Sequence, residues 1–128
     1  LDVKTFKDLV SGRGTQKLIS VSPDQTVLEA IDLMKKYDIE NIPVFKGEEN
    51  VGAISANGLF EKILNSPDVK SYKLESVMEK PYPSVPFDMA VERLSAFITK
   101  ENGAVLSRDE SGLHHIVTRH DIIQSLSK

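Results

Sequence analysis

Two four-residue stretches carry the side chains best spaced for recognising a small polar ligand. Thr118-Arg119-His120-Asp121 stands where a strand pattern gives way to a helical one. A helix start leaves backbone N–H groups without partners and carries the positive end of the helix dipole. Thr118 offers a hydroxyl there, and Asp121, three residues on, faces the same side. A carboxylate accepts two hydrogen bonds at once, which suits the adjacent hydroxyls of a ribose. The same spacing is also that of a capping box, which closes a helix start with no ligand at all. Spacing alone leaves both readings open. Ser55-Ala56-Asn57-Gly58 holds the matching place earlier in the chain, with Gly58 where the carboxylate would stand. Losing a charged acceptor removes about 1.5–3 kcal/mol, roughly a tenfold to hundredfold loss in affinity. One competent site is therefore expected, not two.

Little else in the chain suggests chemistry. Its 128 residues include no cysteine, so disulfides, thiolate metal sites and cysteine nucleophiles are excluded. His114 and His115 are neighbours on a strand pattern and so point to opposite faces, one expected inward and one solvated. With His120 they show no recognised ligand spacing, and no metal is expected. No glycine-rich phosphate loop or nucleophile elbow occurs, and no lysine sits in a context for a pyridoxal phosphate Schiff base. No catalytic residue is assigned, and any enzymatic domain is expected to lie outside this chain. A net charge of −3 argues against a general nucleic-acid binder. Apolar runs are only a few residues long, too short to span a bilayer. Leu1-Asp2-Val3-Lys4 has neither a signal peptide's pattern nor an initiator Met, so a piece of a longer cytoplasmic protein is expected.

The elements that must position these residues come twice. In the first half, Leu18-Ile19-Ser20-Val21 reads as a strand. Val27, Ala30, Ile31 and Met34 mark a helix face at i, i+3, i+4 and i+7. Ile39 to Phe45 reads as a strand with Pro43 near its entrance, Lys46 to Asn50 as a hairpin turn, Val51 to Ser55 as the return strand, and Gly58 to Leu64 as a closing helix. From Tyr82 the plan repeats. Val91, Leu94, Ser95 and Ile98 mark the helix, Gly103 to Leu106 and His114 to Thr118 the strands, Ser107 to Gly112 the turn, and Asp121 to Leu126 the closing helix. The expected boundaries are an N-terminal helix and loop over 1–17, a first repeat over 18–65, a linker with a short helix over 66–81, and a second repeat over 82–128. Leu74, Val77 and Met78 should feed the second half, as Thr5 to Val10 feed the first. A half alone has too little core to be stable, so the halves should pack together.

This doubled pattern, with Pro43-Val44, Val51-Gly52-Ala53-Ile54-Ser55 and Ile116-Val117-Thr118-Arg119-His120-Asp121, resembles a tandem CBS-domain pair, also called a Bateman module. The resemblance covers nearly the whole chain. Gly103 to Leu106 followed by His114 to Ile123 is similar to the end of the regulatory tail of cystathionine β-synthase. The family implies an α+β fold of two pseudo-symmetric β-α-β-β-α repeats packed sheet to sheet. It implies a ribose contact from Asp121 and a ribose or phosphate contact from Thr118. It further implies that backbone groups of Ile19, Glu40 and Ile42, in the segment Ile39-Glu40-Asn41-Ile42, read the edge of an adenine. Ile19, Ile39 and Ile116 would supply apolar faces, and Lys17 and Gly14 would lie near the mouth of the cleft. For the isoleucines, ordinary core is the competing reading, and for Lys17 a solvated surface.

The ligand implied is an adenosyl compound. S-adenosylmethionine is favoured because Asp38 and Glu40 make the cleft acidic; AMP, ADP and ATP stay open, with Arg119, His120, Lys17 and Arg13 as candidate phosphate partners. The resemblance implies a regulatory module on an attached enzyme and a homodimer formed through faces such as Leu59, Ile63, Ile122 and Leu126. A dimerisation or interaction module without a ligand is the alternative.

Overall fold

A computed structural model describes residues 4–13 and 18–126. The chain folds as two compact units. One is Ile19–Pro81. The other joins the N-terminal segment to the chain from Tyr82 onward. Each is a small α+β assembly around a two-stranded antiparallel sheet.

In the unit Ile19–Pro81, helix α2 runs Val27–Tyr37. Thr26 caps it: its hydroxyl accepts from the Glu29 N–H at 3.2 Å, and Glu29 accepts from the Thr26 N–H at 3.1 Å. The bond from the Thr26 N–H, then those from the Gln25 side chain and the Thr26 hydroxyl, hold the Glu29 carboxyl below the usual carboxylate range. Asp38 ends the helix in the left-handed region, φ 52°, a conformation that aspartate tolerates better than most residues. Strands β1 (Asn41–Lys46) and β2 (Glu49–Ser55) pair with Asn41 opposite Ser55 and Ile42 opposite Ile54. The hairpin is tighter than the sequence suggests. Only Gly47 and Glu48 separate the strands, with Gly47 at φ 64°, where a side chain would be strained. The expected opening strand shrinks to one parallel bridge: the Val21 N–H donates to Pro43, and the Phe45 N–H donates to Val21. On the far edge, Ala53 and Glu79 exchange backbone bonds of 3.0 and 2.8 Å. Gly52 admits that segment, since a Cβ there would lie 2.5 Å from Met78 Sδ. Helix α3, Ala56–Asn65, closes the repeat.

The other unit begins with α1, Phe6–Val10, capped by a Thr5–Asp8 box. Strands β3 (Ala104–Arg108) and β4 (His114–Thr118) pair with Ala104 opposite Thr118, and Ser84 bridges to Leu106 as Val21 does to Val44. Helix α5 spans Arg119–Leu126. The second-repeat helix departs from expectation: α4 is only Val91–Leu94. Its N-cap is Ala90, whose side chain caps nothing, and the following bonds from Ala96, Phe97 and Ile98 reach back three residues instead of four. Without a cap, a one-turn helix loosens into 3-10 turns.

The lead-in segments pack opposite to their chain order. Leu74 and Val77 belong to the core of the first repeat with Val27, Ile42, Val44 and Ile54, not to the second half they precede. Phe6 and Val10 belong to the core of the second with Val85, Leu94, Val105 and Val117. The backbone repeats the exchange: Thr5 bridges Ala90, and Lys73 bridges Thr26. Leu59 and Ile122, expected on a dimer face, are core at 4% and 6% exposure. Neither strand histidine is solvated: both are half-buried. The His115 Nε2 lies 2.8 Å from Asp109 Oδ2 and its ring 5.5 Å from that of Phe87. Hydrogen bonds from His115 and then Ser111 hold the Asp109 carboxyl well below the usual carboxylate range. Among the described residues, no helix is long and apolar enough to cross a membrane.

Phe6 is fully buried, so Phe6→Ala should destabilise the unit containing β3 and β4 by about 3–5 kcal/mol. Urea unfolding followed at a probe in each unit checks this, and equal loss in both would contradict it. Because the folded pKa of Asp109 is depressed, its contribution is complete above the unfolded value near 3.9 and fades as pH falls through the folded one. Asp109→Asn should therefore flatten the acid limb of stability below about pH 4, measured as denaturation midpoints from pH 2 to 7. Superimposable acid limbs would count against it.

Candidate functional site

Thr118 ends β4 and opens α5, where the Arg119 N–H donates to the Gly103 carbonyl at 3.0 Å. The Thr118 N–H donates to Asp121 Oδ2 at 2.9 Å, and the Thr118 hydroxyl donates to the same oxygen at 3.1 Å. The Asp121 N–H donates to Thr118 Oγ1 at 3.3 Å. The capping reading of this spacing is thus realised. The carboxylate does more, however. An Arg13 guanidinium nitrogen lies 2.7 Å from Asp121 Oδ2, and its other terminal nitrogen donates to the Ile116 carbonyl at 2.6 Å.

Among the described residues, three complete boxes occur: Thr5–Asp8, Thr26–Glu29 and Thr118–Asp121. The first two are exposed, whereas the bonds of the third are partly buried. The fourth hydroxyl-led start, at α3, is the degenerate motif. Ser55 accepts from the Gly58 N–H at 3.0 Å, and the missing acid is replaced from elsewhere. A Cβ on Gly58 would lie 2.2 Å from Glu79 Oε1, and the Ser55 hydroxyl donates to that oxygen at 3.4 Å. A carboxylate therefore stands beside Ser55 after all. Its source lies twenty-four residues away, so no local spacing announces it. The Arg13 partnership, which joins residues 103 apart in its bond to Ile116, is equally invisible to periodicity.

The remaining expected residues divide between the units. Ile19 and Ile39 are half-buried, and Ile39 packs against the first core. Glu40 is exposed, but its carbonyl accepts from the Ala56 N–H at 2.9 Å. Asn41 is half-buried at the start of β1. Ile42 is fully buried core. Pro43 and Phe45 turn their backbone groups to Val21, so antiparallel alternation turns those of Ile42 to β2. The Glu40 carbonyl is thus tied to the start of α3 and the Ile42 backbone faces β2; a base-edge contact from these groups rests on the family resemblance. Ile116 is half-buried opposite Leu106, and its carbonyl holds Arg13. Lys17 and Gly14 lie outside the described residues. Of the other cations, Arg119 turns to the Thr99 carbonyl and His120 is exposed. No group of three or more potential metal ligands occurs among the described residues.

Comparison with known proteins agrees with this architecture. A family model for the CBS domain matches residues 7–65 and again 74–128. The CBS-domain containing protein from Agrobacterium tumefaciens superposes with a TM-score of 0.85 at 17% identity, covering 96% of this chain and 99% of that one. The CBS domain pair of protein MJ0100, solved with 5′-methylthioadenosine and S-adenosyl-L-methionine, gives 0.79 at 20% identity and 98% of both chains. At these identities the likeness is one of fold. A curated relative, inosine-5′-monophosphate dehydrogenase of Methanocaldococcus jannaschii, is 28% identical over 109 residues. These are 84% of this chain but 21% of the relative, so the chain spans about a fifth of that protein's length.

The replacement of the α3 acid by Glu79 makes positions 58 and 79 interdependent. Gly58→Ala should be less costly on a Glu79→Ala background than on the unsubstituted chain, with a coupling of about 0.5–1 kcal/mol. A double-mutant cycle in urea measures it, and additive effects would show that Glu79 does not hold the vacated place.

Proposed function

The chain belongs to the CBS-domain family, and from that premise we propose that it is a ligand-sensing regulatory module that binds an adenosyl compound at Thr118 and Asp121. The observation that carries this reading is the difference among the three boxes. Among the described residues, only at Thr118 and Asp121 is a complete box partly buried and also held by a cation from a distant segment. A cap needs neither feature. A hydroxyl and a carboxylate side by side can take the two hydroxyls of a ribose, and the solved pair with bound 5′-methylthioadenosine and S-adenosyl-L-methionine supports the adenosyl class. S-adenosylmethionine, AMP, ADP and ATP all fall within that class. The apolar contacts expected of Ile19, Ile39 and Ile116, and the ligand contact expected of Asn41, rest on the family resemblance.

The module acts in the cytoplasm on an attached catalytic domain. The second-repeat resemblance favours cystathionine β-synthase for that domain, while the curated relative offers a nucleotide-metabolising enzyme. Ligand binding shifts an equilibrium between arrangements only by its different affinity for each. Exposed Ile123 and Leu126 on α5, and Phe60 and Leu64 on α3, are the apolar side chains available to a homodimer.

Thermal unfolding with each of the four compounds tests the reading. At one hundred times its dissociation constant, a ligand should stabilise the chain by about 2.7 kcal/mol. Asp121→Ala should weaken binding by about tenfold to hundredfold. A stabilisation unchanged in that variant would reject the site, and no stabilisation by any of the four would favour the ligand-free interaction module.

A further inference from the structure

The Asp121 carboxylate already has a partner that the motif does not contain. Arg13 closes the 3-10 turn Ser11–Arg13 that follows α1 and reaches across to β4 and α5. It pairs with Asp121 Oδ2 at 2.7 Å and donates to the Ile116 carbonyl at 2.6 Å. The two paired side chains are 33% and 27% exposed, so the pair is only partly screened by water. A guanidinium carries five N–H donors in a planar fork, and these two contacts leave others to spare.

A ribose that donates to Asp121 must share or replace Arg13 at the same oxygen. The Ile116 carbonyl still anchors the guanidinium when that happens, so its charge stays beside the sugar. A neutral nucleoside would thus separate an ion pair and leave the cation without its counter-charge in a half-buried place, which is unfavourable. A sulfonium compound would add a second positive charge there. A phosphate monoester brings about −1.5 to −2 charges and three acceptor oxygens, and it can meet the guanidinium with two parallel bonds.

The geometry points to Arg13 as the residue that makes this site select phosphorylated adenosyl compounds over neutral or cationic ones, passing from Asp121 to the phosphate as the ribose takes the carboxylate. This inference rests on the adenosyl reading above and names the charge of its ligand. It reverses the preference for S-adenosylmethionine that the acidic Asp38 and Glu40 suggest. Those two side chains lie in the other unit, whereas Arg13 touches Asp121 itself.

Calorimetric titration of the whole chain, Arg13→Gln and Arg13→Lys with AMP, adenosine and S-adenosylmethionine is the test. The unsubstituted chain should bind AMP about tenfold or more tighter than the other two. Arg13→Gln should lose about tenfold to hundredfold for AMP while adenosine binds as well or better. Arg13→Lys should keep part of the preference, because the charge survives without the fork. Equal losses for AMP and adenosine in Arg13→Gln, or tighter binding of S-adenosylmethionine than of AMP by the unsubstituted chain, would overturn the role of Arg13 and leave the adenosyl reading standing. No binding of any of the three would overturn both.

Discussion

The first N–H groups of a helix must find acceptors, and in this chain a hydroxyl placed just before the helix supplies one wherever the helix is long. Thr26 opens eleven residues of α2, Ser55 ten of α3, and Thr118 eight of α5. Ala90 supplies nothing, and α4 stops after four. The same constraint draws a carboxylate to each hydroxyl, from three residues on at Thr26 and Thr118 and from Glu79 at Ser55. Recognition chemistry is built from this structural chemistry. A ligand that takes Asp121 must compensate the bonds by which the residue already secures α5.

Each unit has little sheet of its own and completes it with single bridges. Val21 and Glu79 flank β1 and β2 on either edge, and Ser84 flanks β3. The core then forms where helix, sheet and lead-in segment meet. Leu74 is as completely buried in one unit as Phe6 is in the other. The pseudo-symmetry of the sequence thus extends to the segments between the repeats, although each serves the repeat it does not precede.

Much of this was legible in the residues. The alternation and turn signals located both hairpins, the apolar spacing of Val27, Ala30, Ile31 and Met34 located α2, and the four-residue motifs marked the starts of α3 and α5. What periodicity could not show was set by contacts across long chain separations. Phe6 and Leu74 carry no label saying which core they enter. Gly58 looks like a lost acid until Glu79 is found beside it, and Asp121 looks free to bind until Arg13 is found on it. The extent of α4 failed for a local reason: Val91, Leu94 and Ile98 have helical spacing, but spacing says nothing about the missing cap.

The exchange of lead-in segments also sets an order of assembly. Every piece of the Ile19–Pro81 unit is contiguous, so it can close as soon as that stretch leaves the ribosome. Helix α1 precedes that unit, yet β3 and β4, which complete its core, begin at Ala104, more than ninety residues beyond Val10. Its docking is a long-range contact with a correspondingly large loop to close, which favours late formation. Helix α1 therefore becomes native late, although it precedes the unit that can close first.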